Sequence, residues 1–134
     1  IVNAFAAGTL HVHPVKPNTM VKSIAIGNPA DGYYALRVAR QSGGGASAVT
    51  DEEAVAGMRL LAETEGIFTE AAGGVVIAAL KKLVASGLVK SDELVVAFIT
   101  GAGPRTQAIL SDIVQTATIK PTIESFEEVF GVKA

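Results

Sequence analysis

The chain of 134 residues contains no cysteine and no tryptophan. Without cysteine it can build neither a disulfide framework nor a thiolate metal site. Aromatic residues make up 5% of it, too few to supply stacking platforms for single-stranded nucleic acid. It has no basic surplus: Lys and Arg number 11 against 13 Asp and Glu, the net charge is −2, and no basic run exceeds Lys81-Lys82. A nucleic-acid partner is therefore not expected. No apolar stretch reaches the ~20 residues of a membrane helix. The longest one free of Lys and Arg runs from Gly66 to Leu80 and contains Glu70 and the adjacent Gly73 and Gly74. No basic segment precedes the apolar opening, so no secretory signal is expected.

What the chain has in quantity is apolar residues, 49% of the total. Its mean hydropathy is +0.42. That supplies a core and excludes disorder as a description of the whole chain. The value is high for a small soluble domain. It implies either a domain buried on many sides or a piece of a larger protein. The opening Ile1-Val2, in place of Met, points to the second.

Periodicity and punctuation give the elements. Ile1 to Ala7 reads as the end of a helix, stopped at Gly8. Leu10 to Lys22, with two prolines and two histidines, reads as an irregular connection. Ser23 to Gly27 is a short apolar segment turned by Asn28-Pro29. Asp31-Gly32 opens a helix carrying Tyr34, Leu36, Val38 and Ala39, and Ser42 to Gly45 ends it. Ala46 to Val49 is a strand candidate. Thr50 and Glu53 have the spacing of a capping box, and the helix that follows stops at Gly66. Gly73 to Ser86 is a second strong helix, with an apolar face of Val76, Ala79, Leu80, Leu83 and Val84 and a stop at Gly87. Leu94 to Ile99 reads as a strand buried on both faces of a parallel sheet. Pro104 to Val114 is expected to be partly helical, and Pro121 to Phe130 to form a short amphipathic helix with Ile123, Phe126 and Phe130 on one face. Buried strands alternating with helices predict an α/β architecture with a parallel sheet. Two or three strands are too few for an independent sheet, which again implies part of something larger.

Chemistry can be sought at a few places. Thr100-Gly101-Ala102-Gly103 lies where the expected strand ends, the side on which open parallel sheets bind ligands; an ordinary strand-to-helix turn explains the same residues equally well. A dinucleotide fingerprint would need glycine where Thr106 stands. Ser42 to Gly45 follows a helix and precedes a strand, the reverse of a phosphate loop, and reads as a helix stop. Glu70 lies in an apolar stretch, where a buried carboxylate needs a partner. The small residues after it allow close approach by a ligand or, equally, close packing. His11 and His13 lack a third ligand, so no metal site is expected. The residues alone leave an α/β ligand-binding fragment.

Three segments in order add to this: SIAIGNPADGYYAL (Ser23 to Leu36), TEGIFTEAAGG (Thr64 to Gly74) and VVAFITGAG (Val95 to Gly103). Together with SGG at 42–44, VTDEE at 49–53 and IKPTIESFEE at 119–128, they resemble the C-terminal part of the threonine synthases. These are pyridoxal-phosphate enzymes of the tryptophan-synthase-β-like fold. Threonine dehydratases and serine racemases share a looser form of the pattern, and the IGNP stretch favours the threonine synthases.

The resemblance implies a three-layer parallel-sheet enzyme, of which residues 1–134 form the C-terminal part of the large cofactor-binding domain, with 115–134 as a tail. It implies that Thr100 gives its hydroxyl to the pyridine nitrogen of pyridoxal phosphate and that Gly27 places backbone near the cofactor. It sets Asn28 and Glu70 near the substrate, with Ala71 replacing the family's usual proline after Glu70. The intact enzyme would be a cytoplasmic homodimer converting O-phosphohomoserine and water to L-threonine and phosphate. The Schiff-base lysine, the asparagine beside the cofactor ring and the glycine-rich phosphate loop have no match here, and Lys81, Lys82 and Lys90 do not fit the lysine's context. No catalytic residue is therefore expected in this chain, which would need the N-terminal part of the same protein. The alternatives are a fragment of a dehydratase-like enzyme and a non-catalytic interaction module.

Overall fold

A computed structural model describes residues 1–110 and 117–131. Among them are five α-helices: α1 (Val2–Ala6), α2 (Gly32–Gln41), α3 (Asp51–Glu65), α4 (Ala71–Ala85) and α5 (Ile123–Phe130). Two 3-10 segments, Lys22–Ile24 and Gly103–Leu110, complete the regular structure. The second is kinked at Thr106, whose φ of −129° is not helical.

Helix α3 starts where the sequence predicts. The Thr50 hydroxyl accepts from the Glu53 N–H at 3.2 Å, and the Thr50 N–H donates to the Glu53 carboxylate at 2.8 Å. This reciprocal cap satisfies two amides that the first turn leaves unpaired. Asp51, Glu52 and Glu53 set negative charge at the positive end of the helix dipole. Gly66, at φ 68°, closes the helix in the left-handed conformation that glycine adopts without penalty.

The same acidic turn organises its surroundings. Asp51 accepts from the Thr19 hydroxyl and, at 2.9 Å, from the Met20 N–H, which pins the irregular connection over the start of α3. Lys82 of α4 reaches Glu53 at 2.6 Å and the Ala48 carbonyl at 2.8 Å. At the other end of the connection, Arg40 donates to the carbonyls of Gly8 at 2.8 Å and Thr9 at 3.1 Å, tying α2 to the chain that leaves α1.

Helices α3 and α4 meet through small residues. A Cβ on Gly57 would overlap the Gly74 carbonyl, and one on Gly74 would overlap the Ala54 carbonyl. The buried residues of α4 are accordingly Ala71, Ala72, Gly73, Gly74 and Ala78. The expected face of Val76, Ala79, Leu80, Leu83 and Val84 stays half-buried or, at Val84, exposed. The core beside this crossing joins Val21, Ala54, Met58, Ala71, Ala72 and Leu110.

The expected strands are not observed. No strand occurs among the described residues, and the only pairing is an isolated antiparallel bridge between Thr69 and Ala102. Ala46 to Val49 is irregular, and the segment Ser23 to Gly27 begins within the Lys22–Ile24 turn. The largest correction concerns Leu94 to Ile99. Leu94 is 95% exposed and Phe98 75% exposed, where burial on both faces is expected. A strand of that kind needs paired strands at its edges and helices above and below. The described residues supply neither, so the apolar run is irregular and open to solvent.

Near the C-terminus, the helical expectation after Pro104 is met over Gly103–Leu110 as a 3-10 segment; Ser111 to Val114 lie outside the described residues, as do 115, 116 and 132–134 of the expected tail. Helix α5 starts at Ile123, capped by the Thr122 hydroxyl accepting from the Ser125 N–H at 3.3 Å. Its Phe126 and Phe130 rings stack at 4.9 Å, yet no residue of α5 is buried.

Candidate functional site

The start of α4 and the turn after Thr100 are joined by a short set of hydrogen bonds. The Glu70 N–H donates to the Gly101 carbonyl at 3.0 Å, and the Gly103 N–H to the Phe68 carbonyl at 2.9 Å. These two bonds flank the Thr69–Ala102 bridge. Two threonines reinforce the joint. The Thr69 hydroxyl donates to the Gly101 carbonyl at 3.0 Å, with the Glu70 carbonyl at 3.2 Å. The Thr106 hydroxyl accepts from the Ala71 N–H at 3.1 Å, satisfying one first-turn amide of α4. Segments more than thirty residues apart thus form one corner, backed by the core at Ala71, Ala72 and Leu110.

Glu70 packs against Gly101 at this corner, and Thr100 precedes Gly101 in the chain. Glu70, the N-cap of α4, is 5% exposed. Among the described residues its carboxylate makes no hydrogen bond or ion pair. It fills the space beside Gly101, where a Cβ would overlap it. Thr100, one residue before Gly101, is exposed, and its hydroxyl likewise has no partner among the described residues. The corner therefore sets the Glu70 carboxylate, whose oxygens reach solvent, against Gly101, with the Thr100 hydroxyl on the preceding residue.

The other two lie elsewhere in the hydrogen-bond pattern. Gly27 pairs with the loop before it: its carbonyl accepts from the Val15 N–H at 3.0 Å, and a Cβ on it would overlap the Val15 carbonyl. Asn28 beside it is exposed. No hydrogen bond links Gly27 or Asn28 to the Thr69–Gly103 corner among the described residues. A groove of about 640 Å³ also lies apart from the corner. It runs between α3 and α4, edged by Glu52, Glu63 and Lys81 over Leu60 and Ile77, and none of the four residues lines it.

Thr69 and Thr106 were not legible as site residues. A hydroxyl that bonds distant backbone leaves no spacing signature in a sequence. In the sequence Thr106 is marked only as the residue that breaks the dinucleotide pattern. The Thr-Glu pair immediately before a run of small helix-opening residues was the available signal for Thr69.

Comparison with known proteins defines the class. The profile of the family described as "Pyridoxal-phosphate dependent enzyme" matches residues 1–101, and the chain belongs to that family. Its relatives narrow this. The chain is 46% identical over 104 residues to the threonine synthase of Methanocaldococcus jannaschii, covering 77% of this chain and 26% of that protein. It is 39% identical over 126 residues to the threonine synthase of Bacillus sp. (strain ULM1), covering 92% and 36%. To that of Methanosarcina acetivorans it is 37% identical over 134 residues, covering 98% and 33%. The chain thus spans about a quarter to a third of the length of these relatives.

The free Thr100 hydroxyl suits a neutral ring nitrogen, which a hydroxyl can bond without forcing its protonation. Ser42 to Gly45 follow α2 and open no helix. Lys82 is bonded to Glu53 and Ala48, and Lys81 borders the α3–α4 groove, so neither stands at the corner.

Proposed function

We propose that the chain is the C-terminal portion of a threonine synthase whose whole form converts O-phosphohomoserine and water to L-threonine and phosphate. The names of the relatives and their coverage in order along this chain support the reading. The observation that carries it is the match to these threonine synthases over 77–98% of this chain, with Thr100 exposed at the turn beside Gly101.

In this reading the cofactor, when bound, supplies the electron sink for carbanion chemistry, and the protein supplies orientation and ring electronics. Thr100 bonds the ring nitrogen through a neutral hydroxyl. Glu70 stands on the substrate side of the corner, where its carboxylate can accept a hydrogen bond. Gly27 and Asn28 approach the same centre only through backbone and side-chain surfaces that the rest of the enzyme completes. Residues 1–134 then form the C-terminal part of the large cofactor-binding domain, and 115–134 its tail. The apolar segment Leu94 to Ile99 takes its place in the parallel sheet when strands of the N-terminal part flank it. The whole enzyme acts in the cytoplasm as a homodimer.

Release of inorganic phosphate tests the reaction. The whole protein, loaded with pyridoxal phosphate, is given O-phosphohomoserine, and phosphate and threonine are measured together. Equal amounts of both are expected. Turnover of threonine or serine to an oxo acid, with no phosphate released from O-phosphohomoserine, would assign a dehydratase instead.

A further inference from the structure

We propose that Thr69 is a positioning residue for the same site, acting through the Gly101 carbonyl to fix where the Thr100 hydroxyl stands. The proposal rests on the reading of Thr100 given above.

Thr69 is fully buried at 0% exposure. Its hydroxyl donates to the Gly101 carbonyl at 3.0 Å, and that carbonyl already accepts from the Glu70 N–H at 3.0 Å. Two donors on one carbonyl fix the direction of the peptide that follows Gly101. Glycine has the widest backbone freedom of any residue, so the joint between Thr100 and the anchored turn is where position is most easily lost. The pairing there is a single bridge, with no ladder on either side to share the constraint. Space is reserved for this hydroxyl: a Cβ on Gly73 would overlap the Thr69 Oγ1. Thr106 braces the same corner by accepting from the Ala71 N–H.

The arrangement separates positioning from stability. Replacing Thr69 by valine keeps the shape and removes the donor. The Gly101 carbonyl keeps the Glu70 N–H, so no buried group is orphaned and the fold loses little. What is lost is the second constraint on Gly101, and hence the aim of Thr100.

The test uses the whole protein, with Thr69→Val, Thr69→Ser, Thr100→Val and the double variant Thr69→Val with Thr100→Val. Pyridoxal-phosphate dissociation constants are measured by titrating each apoprotein, and apoprotein melting temperatures are measured alongside. Thr69→Val should weaken cofactor binding about tenfold, the size of one well-placed hydrogen bond. Thr69→Ser should restore most of that affinity. Both should melt near the parent. Because Thr69 acts through Thr100, the double variant should bind no worse than Thr100→Val alone, where independent roles would add. Equal losses in the valine and serine variants, additive losses in the double variant, or parent-like binding by Thr69→Val beside a weakened Thr100→Val would each overturn the proposal. Parent-like binding by Thr100→Val would overturn the reading of Thr100 itself, and this proposal with it.

Discussion

The Glu70 N–H donates to the Gly101 carbonyl at 3.0 Å, while the Glu70 carboxylate fills the space where a side chain on residue 101 would stand. Gly101→Ala must therefore displace the end of the Glu70 side chain. That end is flexible and can swing toward water, so the stability cost should stay below about 1 kcal/mol, under the usual range for overpacking. The functional cost should be larger, because the carboxylate leaves the corner. Chemical denaturation and steady-state kinetics of the whole protein measure the two separately. A cost of several kcal/mol with unchanged turnover would mean that Glu70 serves packing alone.

Gly57 and Gly74 are under a different constraint. The nearest atom that a Cβ at either position would meet is a backbone carbonyl oxygen of the facing helix, which cannot turn aside. Gly74→Val should push α3 and α4 apart and cost about 1–3 kcal/mol or more. Val84→Ala, at an exposed position of the same helix, should change the melting temperature little. Equal effects from the two would contradict the packing described for α4.

Acid should loosen the start of α3. The Thr19 hydroxyl and the Met20 N–H hold the Asp51 carboxyl below its ordinary value of 3.8. The Lys82 ammonium and the Thr50 N–H hold Glu53 below 4.5. A carboxyl whose value is lower in the folded state stabilises the fold while ionised. Its contribution is complete above the ordinary value and is lost as the pH falls through the lowered one. Melting temperature should therefore not respond to these two groups between neutrality and about pH 5, and should fall below about pH 4. Asp51→Asn and Glu53→Gln should melt lower than the parent at neutral pH and converge with it in acid. A gap that stays constant down to pH 2 would remove these carboxylates as the cause.

Local signals were legible in the sequence and long-range ones were not. The Thr50–Glu53 capping box and the Gly66 stop rest on neighbours within a turn, and the helices appear within a residue or two of the expected bounds, but α4 buries Ala71 to Gly74 and Ala78 in place of its expected face and α5 buries no residue. Leu94 to Ile99 reads as a buried strand because its residues are apolar, but burial depends on what lies beside it, and among the described residues nothing pairs with it. In the same way, Glu70 and Thr100 stood out singly, one as an acid in an apolar run and the other at the end of one. That Glu70 lies against Gly101, the residue after Thr100, depends on bonds from Thr69 and Glu70 to Gly101, which no spacing encodes. Gly27 shows the reverse case: its lack of a side chain makes room for the Val15 carbonyl.

The most direct test of the central claim is the ultraviolet–visible spectrum of bound pyridoxal phosphate in the whole protein carrying Thr100→Val. If the Thr100 hydroxyl bonds the ring nitrogen, the variant should bind the cofactor about tenfold more weakly, shift its absorption band and lose most of the threonine-forming activity. A cofactor band, affinity and turnover all identical to the parent's would contradict the assignment of Thr100 and of the corner as the cofactor site.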